Sequence, residues 1–235
     1  MIPRRGRRAD FTLPAPGCGI SRLRLDAALW RAAAAAGVEC RAAAAIPPER
    51  AVATVPAGAH ILACGRTEAG DWMGIKARFA GLEPSSAVEL YAMPAGYCGV
   101  AAVEGGLTNV CCLVRRRRTG PLAEARGLAE WLGAHAASEP LRRRLQGGRQ
   151  ASPTVFTVCA LGRRPAMRAG ALAAGDAAGL LDPFTGDGIA RALLSGELAA
   201  QAVAQGRPQA YQQDLARNAG RGFRTAALLR AALLA

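Results

Sequence analysis

Between residues 74 and 114 apolar and polar side chains alternate in a way only extended chain can use. Ile75, Ala77 and Phe79 stand against Lys76 and Arg78, and Val88 and Leu90 stand against Glu89 and Tyr91. Successive side chains of a strand point to opposite faces, so such runs build a sheet with one buried side. "YCGVAAVEGGLTNVCCLV" adds two more strands around Glu104-Gly105-Gly106, a hairpin signal. The region therefore reads as an antiparallel meander.

The flanks read differently. "SRLRLDAALWRAAAAAGVECR" sets Leu25, Leu29 and Ala33 at helical spacing, closes at Gly37, and runs into Val38-Glu39-Cys40 as a strand. "GAHILACG" is a short apolar strand ending at Cys64-Gly65. After the meander, "PLAEARGLAEWLGAHAA" is helical, with Leu122, Ala125, Leu128, Ala129 and Leu132 on one side, and "PLRRRLQ" is a second short helix. "TVFTVCALG" is a strand and "GALAAGD" a short buried one. In "DGIARALLSGELAAQAVAQG", Ile189, Leu193 and Ala200 share a helix face, and Gly206 with Pro208 stops the helix. The basic, Pro- and Gly-rich residues 1–20 read as an irregular arm. An α/β domain split by an inserted sheet domain gives this order of elements: residues 1–70 and 161–235 on the outside, and residues 71–160 between them.

Composition excludes several functions. The net charge is +13, but Lys76 is the only lysine, and the positive charge is arginine scattered among alanines. The densest run, Arg115 to Arg118, precedes Thr119-Gly120-Pro121 and reads as a solvated turn. Specific nucleic-acid binding is not expected, and weak arginine-driven binding would fall steeply with salt. The seven cysteines (18, 40, 64, 98, 111, 112 and 159) form no CxxC pair, so no metal site is expected. With no signal peptide, reduced thiols fit a cytoplasmic protein. No apolar run approaches the ~20 residues of a membrane helix. "AALLRAALLA" at the end is a short helix lacking the surface it would pack on. His60 and His135 read as surface or loop histidines. Cys111 and Cys112 should point to opposite sheet faces.

"GDAAGLLDPFTGDGIA", residues 175–190, carries the chemistry. Asp176 follows a buried strand, at the carboxyl edge where open α/β sheets bind ligands, and a carboxylate there can accept hydrogen bonds from sugar-alcohol hydroxyls. Pro183 stiffens the next loop. Gly186 and Gly188 let main chain approach a flat ring at a helix start, where N–H groups favour an electron-rich oxygen. Read structurally, the same stretch is a strand, a turn and a helix capped by Thr185 or Asp187.

The full string "AGDAAGLLDPFTGDGIARALLSG" resembles the second FAD motif of the p-hydroxybenzoate hydroxylase-like flavoproteins, in particular their geranylgeranyl reductase-related branch. "SRLRLDAALWRAAAAAGVE" resembles the family segment in which an arginine, here Arg22, reaches the dinucleotide, with Asp26 in the same signature. "GIKARFAGL" and "VELYAMPAGYCGVAAVEGGLTNVCCLV" are similar to its substrate-domain sheet. The resemblance implies a split FAD/NAD(P)-binding, Rossmann-like domain with an inserted antiparallel substrate domain. Asp176 would hold the ribityl chain, Gly175 would make room for the pyrophosphate, and Pro183 would sit against the isoalloxazine. Main chain at Gly186, Asp187, Gly188 and Ile189 would face the pyrimidine carbonyl.

The implied activity is FAD-dependent oxidoreduction, either reduction of an activated double bond or monooxygenation. NAD(P)H is a candidate electron donor and an apolar small molecule a candidate substrate. No catalytic acid or base is assigned. Tyr97, Cys98 and Glu104 lie on or near the sheet, but Tyr97 and Cys98 read rather as ordinary sheet packing and Glu104 as a solvated hairpin residue.

The family's leading GxGxxG turn is missing. "GCG" at 17–19 continues as Ile20, Ser21 and Arg22, and the segment between Gly65 and Gly74 is short, leaving the adenine contact unassigned. The expectation is a chain that starts late relative to the family and binds FAD poorly or not at all by itself. The competing class is a non-catalytic protein of flavoprotein fold that binds a partner. Oligomeric state is open.

Overall fold

Ser21 starts the first helix, its hydroxyl accepting from the N–H of Arg24 at 3.3 Å. This helix, α1, spans Arg22–Ala35. The computed structural model describes residues 8–42, 60–65, 70–94, 96–118, 127–135, 138–168 and 170–234. Within them α1 does not feed a strand. The N–H of Val38 closes the helix on the carbonyl of Ala33 at 3.1 Å, and Glu39 pairs with Arg41 at 2.7 Å. Val38 is committed to the helix end, and residues 38–40 have no neighbouring strand among the described residues to satisfy extended backbone.

The chain divides into two compact units, residues 1–44 with 73–157, and residues 45–72 with 158–233. The sheet of the first unit contains β2 (Trp72–Ala80), β3 (Glu89–Met93), β4 (Gly96–Val103) and β5 (Leu107–Arg115), with β6 (Arg149–Gln150) and β7 (Val155–Cys159) added later in sequence. Its order is β3-β4-β5-β2-β6, and β7 also pairs with β2. The expected meander thus holds for β3, β4 and β5, whereas β2 lies beside β5 and not beside β3. Cys98 faces Cys112 and Val100 faces Val110 across the β4–β5 hairpin, which turns through Glu104–Gly106.

One face of this sheet is core. Ile75, Phe79, Met93, Val100, Val110 and Val114 pack with Leu128, Trp131 and Leu132 of α2 (Leu128–His135) and Leu141 of α3 (Glu139–Leu145). In α2 the inward residue the sequence reading missed is Trp131, while Ala129 is exposed; Leu122 and Ala125 lie outside the described residues.

The phase of β3 is also corrected. Val88 is 70% exposed, and Tyr91 is buried. Glu89, opposite Val100, faces the core side. Arg144 of α3 explains it: its Nε donates to both Glu89 oxygens at 2.8 and 2.9 Å, and the Tyr91 hydroxyl donates to the same carboxylate at 2.5 Å. A paired carboxylate can enter a core that a lone one cannot. Burial, then the bond to Glu89, pushes the Tyr91 phenol up.

Glu104 is likewise not a solvated hairpin residue. It accepts from the Ser21 N–H at 2.8 Å and from the Ser21 hydroxyl, with Arg24 at 3.8 Å. Gly19 fits closely beside it: a Cβ there would lie 2.1 Å from the Ala102 carbonyl oxygen. The Ser21 hydrogen bonds hold the Glu104 carboxyl below its usual range. A depressed folded pKa makes this clasp fully present above the ordinary glutamate value, and it is lost as pH falls through the folded one. NMR titration should show the Ser21 amide moving with the Glu104 carboxyl, at a midpoint below that of an unperturbed glutamate. A midpoint at or above that value, or movement persisting in Glu104→Gln, would remove the clasp.

In the second unit β1 (Ile61–Leu62) runs parallel to β10 (Ala171–Ala173), which pairs antiparallel with β9 (Met167–Arg168). β8 (Gly162–Arg163) pairs with β11 (Gly179–Leu180). Two helices complete it, α4 (Gly188–Ala204) and α5 (Ala210–Leu234). Ala173, Ala177, Ala199, Ala202, Tyr211 and Leu215 form its core. The Tyr211 hydroxyl donates to the Ala173 carbonyl at 2.5 Å, and burial raises its pKa to about 12. The C-terminal sequence is helical, but as the end of the 25-residue α5 and not as a short helix, with Ala226 buried and Leu228 and Leu229 exposed. His60 lies in a loop, one of its two expected places, but not at the surface: both ring nitrogens are buried, without a hydrogen-bond partner among the described residues. His135 closes α2.

Candidate functional site

The strand β10 delivers the chain into a tight turn, Gly175–Ala178, that carries Asp176. Gly175 has φ +60, and a Cβ there would lie 3.3 Å from Ala192 Cβ on α4, so the residue meets both a left-handed backbone and a close helix. Its N–H donates to Ser195 Oγ at 2.8 Å, and the same hydroxyl donates to the Ala192 carbonyl at 3.1 Å. From below, Arg164 Nη1 donates to the Asp176 carbonyl at 3.3 Å, and Arg164 N–H to the Ala178 carbonyl at 3.1 Å.

The second element is the turn Pro183–Thr185. Asp182 caps it: its carboxylate accepts from the Phe184 N–H at 3.1 Å, and its carbonyl accepts from the Thr185 N–H and hydroxyl at 3.2 and 3.1 Å. Gly186 ends the turn in the left-handed region. Asp187 then occupies the N-cap position of α4 without a side-chain capping bond, so neither Thr185 nor Asp187 caps that helix through its side chain. A Cβ on Gly186 or Gly188 would meet nothing within 4 Å.

The two elements are neighbours. Ala192 and Ser195, which hold the Gly175 turn, lie one to two turns along the helix that Gly188 begins, and four residues of helix span about 6 Å. Gly175 and Asp176 are half-buried, and Pro183, Gly186, Asp187, Gly188 and Ile189 are exposed. An exposed glycine-rich main chain, an uncapped helix start and a neighbouring carboxylate can together receive a flat, carbonyl-bearing ring and its hydroxylated tail.

The face shared by Ile189, Leu193 and Ala200 is the outer one, with Ile189 42% and Leu193 53% exposed. The inner stripe is Ser195, Ala199 and Ala202. Small residues win there because the helix presses on the turn and on β10, and longer side chains would hold it away. Sequence reasoning passed over Ser195, Asp182 and Arg164. Asp-Pro with a following Thr is a readable capping signal, and a serine four and seven residues ahead of Ala199 and Ala202 is a weak sign of a small-residue face. Arg164 has no local signature.

Arg22 belongs to the first unit, on α1, where its guanidinium pairs with Asp26 at 3.0 Å and both are exposed. The remaining predicted positions all belong to the second. Of the possible proton donors, Cys98 lies in the helix-covered core and Glu104 is clasped to Ser21, while Tyr97 lies on the opposite sheet face, in register with Leu113. Cys112 is buried and Cys111 half-buried, as opposite faces require. The Cys98 contact and burial push the Cys112 thiol up. Among the described residues no group of His, Cys, Asp or Glu is placed to hold a metal ion. No helix among them is long and apolar enough to cross a membrane.

The described residues thus form a mixed α/β protein with an antiparallel sheet. Its fold is shared with FAD-dependent flavoproteins. Similar solved structures include a probable FAD-dependent monooxygenase from Pseudomonas aeruginosa (17% identity, 74% of this chain and 56% of that one, TM-score 0.53). They also include a geranylgeranyl bacteriochlorophyll reductase-like protein from Thermoplasma acidophilum (21%, 69% and 43%, 0.53). A myxobacterial chondrochloren halogenase, described as FAD-dependent, is a third (17%, 67% and 43%, 0.55). The chain spans less than two thirds of the length of each. No family model and no curated protein matches the sequence. The resemblance to p-hydroxybenzoate hydroxylase-like proteins implied an α/β flavoprotein fold with an antiparallel sheet, and the structure has that mixed architecture.

Proposed function

We propose that the chain carries the flavin-ring and ribityl half of an FAD site in a cytoplasmic oxidoreductase, either a reductase of an activated double bond or a monooxygenase. The observation that supports this most is the joining of the Asp176 turn and the Pro183–Gly188 segment at one end of α4. In this reading Asp176 accepts from ribityl hydroxyls, Gly175 leaves room for the pyrophosphate, and Pro183 stacks on the ring. Main chain from Gly186 through Asp187 and Gly188 to Ile189 donates to the pyrimidine oxygen, and Arg22 reaches toward the dinucleotide. Bound FAD supplies the two-electron chemistry, with NAD(P)H as candidate donor and an apolar small molecule as candidate substrate. In this reading residues 1–70 and 161–235 make up the cofactor domain and residues 71–160 the substrate domain, with residues 1–44 nevertheless lying in the same compact unit as the sheet.

The test is a fluorescence titration of the 235-residue chain with FAD and with riboflavin. Lacking a GxGxxG turn, the chain should gain little from the ADP half: both ligands should bind weakly, on the order of 0.1–1 mM, within a few-fold of each other. Asp176→Ala should weaken both about tenfold, the loss of a charge-assisted hydrogen bond. FAD retained through gel filtration would refute weak binding, and quenching indifferent to Asp176 would refute the site.

A partner-binding role is favoured by one feature: α1 buries no residue, and Leu23, Leu29 and Trp30 on it are all exposed. Flavin binding that survives Asp176→Ala would leave this reading the stronger.

A further inference from the structure

Of all described residues only three polar or charged ones are buried: Thr108, Asp182 and Ser195. Two of them adjoin the proposed cradle. Asp182 holds its own turn. Ser195 joins two separate segments, since its hydroxyl accepts from the Gly175 N–H twenty residues earlier at 2.8 Å while donating to Ala192 one turn behind at 3.1 Å.

We propose that Ser195 is a positioning residue, whose hydroxyl fixes the Asp176-bearing turn to α4 and so sets the distance between the carboxylate and the helix start that would receive the ring. The ligand named here rests on the flavin reading; the mechanical link does not. A serine inside a helix ordinarily satisfies itself by donating to the carbonyl three or four residues back, and needs nothing else. Here that donation aims the oxygen lone pairs outward, at a backbone N–H one residue from Asp176. Ala192, in the same helical turn, stands 3.3 Å from where a Gly175 Cβ would be, so the turn is held by the bond and stopped by the methyl. The position is 3% exposed, so bulk solvent does not reach in to replace the hydroxyl as acceptor. A stabilising device could sit anywhere along the 17-residue helix. This one sits where helix and turn must agree for a single ligand to touch both.

The experiment compares Ser195, Ser195→Cys and Ser195→Ala in the full chain, cysteine being nearly isosteric and a weak acceptor. Amide exchange is followed at Gly175 and at Ala199 and Ala202 on the same inner stripe, alongside riboflavin affinity. In Ser195→Ala, Gly175 should exchange at least about tenfold faster with Ala199 and Ala202 unchanged, and riboflavin should bind about tenfold more weakly. The cysteine variant should fall between. Uniform loss of protection along α4 would show a general packing role and overturn the proposal, as would an unchanged Gly175 amide. If the parent chain binds no riboflavin, the flavin reading fails, and the exchange pattern alone still decides whether Ser195 fixes the turn.

Discussion

Gly179→Ala should strongly disrupt the second unit. Gly179 has φ +140, and its added Cβ would lie 2.8 Å from the Gly162 carbonyl oxygen, 2.9 Å from Arg163 Cα and 3.1 Å from Phe223 Cζ. The first two are backbone of β8, which is paired to β11 in the register Gly179 to Arg163 and Leu180 to Gly162. That backbone cannot retreat without breaking the pairing. Strain at such a φ costs about 1–3 kcal/mol, and overpacking about a further 1–3 kcal/mol. Gly206→Ala is the control, because its φ is also positive, +64, but no atom lies within 4 Å of the added carbon. It should lose only about 1 kcal/mol. Thermal unfolding should separate the two by on the order of 10 °C. Riboflavin affinity should fall with Gly179→Ala, since β11 leaves directly from the Asp176 turn. Equal midpoints for the two variants would show that β8 is not fixed where it is described.

Trp131→Ala should be the most damaging change in the first unit. Trp131 is among the largest fully buried side chains, on the short helix α2 that covers the sheet. Removing it should cost about 3–5 kcal/mol, a large part of the roughly 5–15 kcal/mol that holds a typical domain together. The same core holds Cys98 and Cys112, both fully buried, while Cys18 and Cys64 are exposed. Thiol labelling therefore gives a direct measure. In the parent chain Cys98 and Cys112 should be protected, the Cys112 thiol also by its raised pKa. In Trp131→Ala both should label well below the denaturant concentration that exposes them in the parent. Unchanged protection would mean that α2 is not what seals this face.

Local pattern makes several elements legible. The period-two run through Ile75, Ala77 and Phe79, the Glu104–Gly106 hairpin, the 3.6-residue repeats of α1 and α4, and the break at Gly206 all follow from interactions within a few residues. The motif at 175–188 is legible because glycine, proline and aspartate impose turn geometry by themselves. Facing is where local pattern misleads. Alternation sets Val88 inward and Glu89 outward, and the structure reverses them, because Arg144, fifty-five residues from Glu89, makes burial of the carboxylate feasible. Hydrophobicity sets Ile189 and Leu193 on the packed side of α4, whereas Ser195 and the alanines occupy it.

Sequence alone determined which segments are helix, strand and turn over most of the chain, including the turns at 175–188, because backbone preference and side-chain period are encoded over short stretches. Tertiary structure decided that β2 lies beside β5, that Glu104 clasps Ser21, and that Ser195 joins the Asp176 turn to α4. Each of these depends on a donor and an acceptor, or on two backbones, that lie far apart along the chain. Which such partners meet is set by the packing of the whole unit and leaves no mark on the residues nearby.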